Sequence, residues 1–292
     1  MDDETAVVVD LVGSDETPSS IAFDVLSLAL FEHGATAVTQ TPDGSLLAGF
    51  VNRDAAEAAM SATQADYPRL MTSIGVAEGA QHDWAASQRG GFTPTRVGRW
   101  HIRTPWTTPP EDVDPLFDIQ IDPGEAFGHG AHPTTKLALQ LMDPHLAQAM
   151  TMVDIGTGTG VLAIIAARAG VRARAIDNSP AAIEAAQHNV ALNSVGQFTS
   201  TADRIDLGLA DINELDMHDP DLIVANVTID VQEILAPRLQ KARRVIASGV
   251  LGSQLSRLRD LYPAHFANTT GSVGEWSAAE FLPDLDVQPR GT

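Results

Sequence analysis

Apolar positions in the first part of the chain recur with two different periods. Thr5–Leu11 is a β-branched run, and residues 19–33 place Ile21, Val25, Leu28, Leu30 and Phe31 at helical spacing. That spacing predicts an amphipathic helix, and Gly34 stands where such a helix would stop. Residues 35–41 and 45–51 read as short strands around Pro42, Asp43 and Gly44, a hairpin signal. Residues 54–65 are alanine-rich and helical, and residues 70–76 close the unit as a strand. The order β-α-β-β-α-β predicts a ferredoxin-like α+β domain over residues 1–77.

Between residues 78 and 125 the periodicity loosens. Gly79, Gly90, Gly91, Pro94, Pro105, Pro109 and Pro110 punctuate this stretch, around a strand pair expected near residues 96–103. Trp84, Trp100 and Trp106 also fall here, which implies a linker packed against its neighbours rather than a free tether. From residue 126 to 292 strands alternate with helices. Helices are expected over 134–146, 161–169, 180–192, 229–242 and 254–262. Strands are expected over 151–155, 171–176, 204–209, 222–225 and 244–248, with a hairpin over 265–281. Alternation of this kind predicts an α/β domain whose mostly parallel sheet is covered on both faces.

Composition narrows the partners. The 292 residues are 44% hydrophobic, enough for two domains and a sizeable core. Lys and Arg total 18 against 38 Asp and Glu, a formal net charge of -20, and Lys136 and Lys241 are the only lysines. That balance argues against direct nucleic-acid binding, which needs many basic contacts to phosphate. Two readings of the acidity stand. It would steer a basic protein partner, or it would keep the protein soluble in concentrated salt, where screening to about 3 Å at 1 M weakens steering. Cysteine is absent, which excludes disulfides, thiolate catalysis and cysteine metal sites. No apolar run reaches membrane-spanning length, and the start Met1-Asp2-Asp3-Glu4 is unlike a signal peptide, so a soluble cytoplasmic protein is expected.

The strongest chemical signal is Asp154-Ile155-Gly156-Thr157-Gly158-Thr159-Gly160. A GxGxG after a strand sets backbone N–H groups at a strand-to-helix turn with room for a ligand. It lacks the GKS/T ending of a phosphate loop. The next strand leads to Asp177, whose carboxylate can accept both hydrogen bonds of a ribose diol. NAD and S-adenosylmethionine both carry that diol. Three features favour the second: Asp154 could face an ammonium group, the glycines lack GxGxxG spacing, and Asp211 lies where an adenine amino group could be held. A solvated strand-end carboxylate is the alternative for Asp211.

Further along the strand ends, Asn226 would sit beside a donor methyl group, where its side-chain carbonyl could orient an amine; an ordinary turn asparagine is the alternative. The stretch 122–135 combines Gly124, Gly128 and Gly130 with His129, His132, Thr134 and Thr135 directly before a helix. Thr134 or Thr135 could cap that helix, and the glycine-rich part reads as a lid over the cofactor. The two histidines lack a carboxylate–histidine helix pattern, so no metal is expected. Trp106 and Phe127 read equally as walls for a substrate side chain or as core.

Together these motifs resemble the ribosomal protein L11 methyltransferases, the PrmA family, over nearly the whole length. The family's DPGxAFGTGxHxTT stretch corresponds to residues 122–135, and its glycine motif with the following ILAI to residues 154–160 and Val161-Leu162-Ala163-Ile164. Ser248-Gly249-Val250-Leu251, Gly274-Glu275-Trp276, Val97-Gly98 and Thr104-Pro105-Trp106 match as well. The resemblance implies a Rossmann-like class I methyltransferase domain behind a ferredoxin-like substrate-recognition domain. It implies S-adenosylmethionine bound by Thr135, Gly156, Asp177 and Asn226, and methylation of lysine or N-terminal amines of a ribosomal protein. Two departures stand out. His129 replaces a family threonine, where an imidazole could accept the amine's proton, and Asn226-Val227-Thr228 replaces the usual NIL. The acidity resembles that of haloarchaeal proteins.

Overall fold

The computed structural model describes residues 5–11, 19–41, 44–78, 94–123, 130–194, 196–212, 219–240, 242–263 and 265–283. The chain divides into two compact units, Met1–Gly91 with Pro123–Phe127, and Phe92–Asp122 with Gly128–Thr292.

The first unit contains β1 (Thr5–Leu11), α1 (Ser19–Glu32), β2 (Ala37–Gln40), β3 (Leu46–Phe50), α2 (Arg53–Asp66) and β4 (Met71–Glu78). Its antiparallel sheet has the order β2-β3-β1-β4, which is the ferredoxin-like topology. Val7 and Val9 of β1 alternate onto the helix-covered face and meet Leu26 and Leu30 of α1 in the core. Gly34 ends the first helix as expected. It adopts φ 92°, and the Ala35 N–H reaches back to the Leu30 carbonyl at 2.8 Å. The expected turn residues Pro42 and Asp43 lie outside the described residues, as does Trp84.

The second unit opens with a three-stranded sheet, β5 (Thr95–Val97), β6 (Trp100–Arg103) and β7 (Asp118–Gln120). Trp100 is fully buried here, whereas Trp106 is half exposed. Arg103 makes a bidentate pair with Asp118 and donates to the carbonyls of Thr104 and Thr107, so the Trp106 turn is held from within.

The main sheet is built from β8 (Thr151–Ile155), β9 (Arg172–Asp177), β10 (Ile205–Leu209), β11 (Leu222–Asn226), β12 (Val245–Leu251), β13 (His265–Val273) and β14 (Trp276–Pro283). Its order is β10-β9-β8-β11-β12-β14-β13, parallel except for the last two strands. The helices are α3 (Pro133–Leu146), α4 (Val161–Arg168), α5 (Pro180–Asn193), α6 (Ile229–Leu235) and α7 (Leu255–Asp260). Central strands such as Leu222-Ile223-Val224-Ala225 are buried at every one of these positions, because helices cover both faces. The helix expected over 229–242 is shorter than its apolar pattern suggests. α6 stops at Leu235 and a 3-10 turn, Ala236–Arg238, follows, since Pro237 supplies no N–H and its ring excludes a continuing α-helix. Among the described residues no helix is long and apolar enough to cross a membrane.

Candidate functional site

The site lies at the carboxyl ends of the parallel strands. β8 runs into Gly156 at φ 70°, and an added Cβ there would sit 2.6 Å from Val227 Cγ1. Only glycine satisfies both the left-handed backbone and this contact. The N–H groups of Gly156 and Thr157 both donate to the Ile176 carbonyl, at 2.9 and 3.0 Å, which ties the turn to β9. Gly158 and Gly160 also have positive φ, and α4 starts directly after Gly160.

Asp177, the last residue of β9, faces this turn. Its Oδ2 accepts from Gly158 N and its Oδ1 from Ser179 N, each at 3.0 Å. Burial raises its pKa, against the backbone N–H groups of Gly158, Ser179 and Asn178 that favour the charge. The Ala210 N–H donates to the Asp177 carbonyl at 2.9 Å and so brings the exposed Asp211 alongside.

Asp154 is buried in β8. Its Oδ2 accepts from the Thr157 hydroxyl at 2.7 Å, and its Oδ1 is buried with no hydrogen-bond partner among the described residues. Burial pushes its pKa up to about 6, against the Thr157 hydroxyl and the Ala163 N–H, with Asp177 adding to the rise. The folded-state pKa exceeds the unfolded one, so the folded protein gains at low pH and loses on the order of 3 kcal/mol as pH rises from about 4 through 6. Asp154→Asn is therefore expected to melt several degrees above the unsubstituted, ligand-free protein at pH 7.5, with the difference vanishing at pH 4. Equal melting temperatures at pH 7.5 would contradict this account.

Asn226 ends β11. Its Nδ2 donates to Thr135 Oγ1 at 3.4 Å, and its Oδ1 is buried without a partner among the described residues. Thr135 lies inside α3 and is 1% exposed. The capping expected of Thr134 or Thr135 is corrected by the structure. His132 is the N-cap: its Nδ1 accepts from Thr134 N at 3.3 Å and lies 2.7 Å from Thr134 Oγ1. Pro133 takes the first helical position, where its missing N–H has no consequence, and this puts both threonines inside the first turn. Ser248 Oγ donates to the Thr134 carbonyl at 2.9 Å, fastening α3 to β12 beside Asn226.

The structure thus brings Asp154, Gly156, Gly158, Gly160, Asp177, Asp211, Thr135 and Asn226 to one edge of one sheet. Phe127, His129 and the glycine-rich lid stretch 124–129 lie outside the described residues. Among the described residues no group of three His, Cys, Asp or Glu could hold a metal. Thr157 and Asn189 carry no role of their own in the sequence analysis, and His132 appears there only as one of two histidines weighed against a metal. A hydroxyl within the glycine turn and two asparagines spaced i,i+4 on α5 were the available signals.

Five parallel strands in the order β10-β9-β8-β11-β12, with antiparallel β14 inserted before β13 and a glycine turn after β8, define a Rossmann-like class I methyltransferase fold. A family model described as Ribosomal protein L11 methyltransferase (PrmA) matches residues 21–281, and the chain belongs to that family. It is 39% identical over 184 residues to the ribosomal protein L11 methyltransferase of Desulfitobacterium hafniense, covering 60% of this chain and 56% of the relative. It is 31% identical over 259 residues to that of Thiobacillus denitrificans, covering 86% and 80%. The first of these matches therefore spans little more than half the relative's own length. A solved ribosomal protein L11 methylase from Lactobacillus delbrueckii subsp. bulgaricus superimposes with a TM-score of 0.55 at 26% identity, covering 66% of this chain and 99% of that one.

Proposed function

We propose that this chain is an S-adenosylmethionine-dependent N-methyltransferase acting on lysine or N-terminal amines of a ribosomal protein, with ribosomal protein L11 the first substrate to test. The observation that carries the reading is a pair of buried acceptors, Asp154 Oδ1 and Asn226 Oδ1, on the neighbouring strands β8 and β11. A buried acceptor without a donor is destabilising, and an ammonium or amine N–H relieves it. The cofactor's α-ammonium suits Asp154, and the amine to be methylated suits Asn226. Asp177 would hold the ribose diol, Asp211 the adenine amino group, and the turn Gly156, Gly158 and Gly160 would leave space for the ligand. Thr135, Phe127 and Asn226 itself complete the proposed cofactor set, and His129 would accept a proton from the amine.

When bound, S-adenosylmethionine supplies a methyl group already activated on a sulfonium. The protein's part is alignment and exclusion of water. Thr135 Oγ1 holds the Asn226 amide by its Nδ2 end, which leaves Oδ1 to receive the amine. The ferredoxin-like domain, taken as residues 1–77, would recognise the protein substrate, and the acidic surface would suit a basic partner, with residues 78–125 as the connection to the 126–292 catalytic domain.

Asn226→Ala tests the assignment. Methyl transfer to purified ribosomal protein L11, followed with labelled S-adenosylmethionine, is expected to fall about 30-fold, with cofactor affinity falling by a smaller factor. Unchanged turnover would remove Asn226 from the reaction. No transfer to L11 by the unsubstituted protein would overturn the proposed substrate.

A second expectation concerns pH. Protonation neutralises Asp154 below about pH 6, so cofactor affinity in the unsubstituted protein is expected to weaken as pH falls from 7.5 to 5. Asp154→Asn should flatten that part of the profile. A profile that is equally steep in both proteins would reject the ammonium contact.

A further inference from the structure

We propose that Asn189, a residue outside the set assigned above, is a positioning residue that anchors the glycine turn of the cofactor site to the chain at Asp122. The inference rests on the cofactor assignment. Asn189 lies on α5 and is fully buried. Its Oδ1 accepts from Asp122 N at 2.8 Å, and its Nδ2 donates to the Asp122 carbonyl at 3.1 Å and to the Thr159 carbonyl at 3.0 Å. One amide therefore grips both main-chain groups of Asp122 and, with its second hydrogen, the backbone of the glycine turn.

One end of this bridge lies in the site itself. Thr159 sits between Gly158, whose N–H holds Asp177 Oδ2, and Gly160, whose N–H closes the turn onto the Thr157 carbonyl. Ala186, one turn before Asn189 on the same helix, lies close against Gly160: a Cβ added to that glycine would stand 3.2 Å from the Ala186 Cβ. The α5 surface is thus small where it touches the turn and polar where it joins the turn to Asp122.

A neighbouring residue separates this role from ordinary packing. Asn193, also fully buried and one turn further along α5, grips the same chain segment in the same way. Its Oδ1 accepts from Gln120 N at 3.0 Å and its Nδ2 donates to the Gln120 carbonyl. Its remaining bond goes to the Asn189 carbonyl within the helix, not to the glycine turn. The two asparagines act as a strand-like edge along β7 and the residues after it, and only Asn189 extends that edge to the cofactor turn. A misplacement of about 1 Å in a binding group has large consequences for a preorganised site, so the difference is measurable.

The test compares Asn189→Leu with Asn193→Leu, both close in shape to the original. The readouts are melting temperature and S-adenosylmethionine affinity by calorimetry on the full chain. Both variants are expected to melt lower by similar amounts. Asn193→Leu should bind within about twofold of the unsubstituted protein, whereas Asn189→Leu should bind at least about tenfold more weakly. Asn189→Ala, which leaves room for water, should show the same loss of affinity and serves if the leucine variant does not fold. Equal affinities for the Asn189 and Asn193 variants overturn the proposal. If the folded, unsubstituted protein shows no saturable binding, the cofactor assignment itself fails, and this inference with it.

Discussion

Asp177→Ala is expected to weaken S-adenosylmethionine binding about 1000-fold, beyond detection by calorimetry in molar salt at ordinary protein concentrations. A carboxylate accepting two ribose hydroxyls makes two charge-assisted hydrogen bonds of about 1.5–3 kcal/mol each, and at about 1.4 kcal/mol per tenfold their loss reaches that size. The substitution also frees Gly158 N and Ser179 N, which now donate to the two carboxylate oxygens, so the turn loses its tie to the end of β9. The free protein should stay folded. Burial holds the Asp177 pKa above its ordinary value, which means the charged form is disfavoured where it stands, and removing it relieves that penalty at neutral pH. A melting curve at pH 7.5 therefore separates lost binding from lost fold. Affinity within about threefold of the unsubstituted protein would remove Asp177 from the cofactor site.

The largest stability effect is expected at a residue with no chemistry of its own. Gly249 has φ 87° at the irregular register between Ala247 and Val250 of β12. A Cβ there would lie 2.7 Å from the Val227 carbonyl carbon and 2.9 Å from its nitrogen, both rigid backbone atoms. Gly249→Ala combines a left-handed alanine with a backbone overlap, together about 4 kcal/mol. At this size that lowers the melting temperature by roughly 10 °C. The Val227 N–H now donates to the Ser248 carbonyl at 3.1 Å, so the displacement also moves the chain directly after Asn226, and methyl transfer should fall with it. A melting temperature within about 2 °C would show that β12 can shift its bulge without strain.

Most elements were legible in the sequence because their apolar periods are long and their punctuation is sharp. Gly34, Pro180 and the glycine turn each mark an end that the structure keeps. The exceptions are instructive. The pattern over 229–242 continues past Pro237 because those residues are still buried, Leu239 and Ala242 among them, yet burial does not require an α-helix. The α3 cap fell on His132 because Pro133 is suited to the first helical position, a detail invisible to a rule that prefers threonine as cap. The edge at which the site residues gather followed from strand order. What could not be read was the hydrogen-bond economy inside it. The raised Asp154 pKa depends on burial that outweighs the Thr157 hydroxyl, and the Asn189 bridge depends on two segments far apart in sequence.

The position of β14 bears on how the chain is assembled as it is synthesised. Trp276–Pro283 pairs with β12 on one side and β13 on the other, so the strand made last in this sheet is an interior one. Domains emerge from the ribosome N-terminus first. Until residues 276–283 appear, β12 is the border of a nearly finished sheet, with Val245, Ile246 and Ala247 offering an unsatisfied apolar rim. Over the same interval Arg244 and His145 lack Glu280, the buried carboxylate that pairs with both, and His145 Nε2 lies only 2.8 Å from it in the finished protein. One eight-residue strand therefore both covers that rim and supplies the carboxylate for the arginine, so the two needs of the β12 border are met by the same late-made segment.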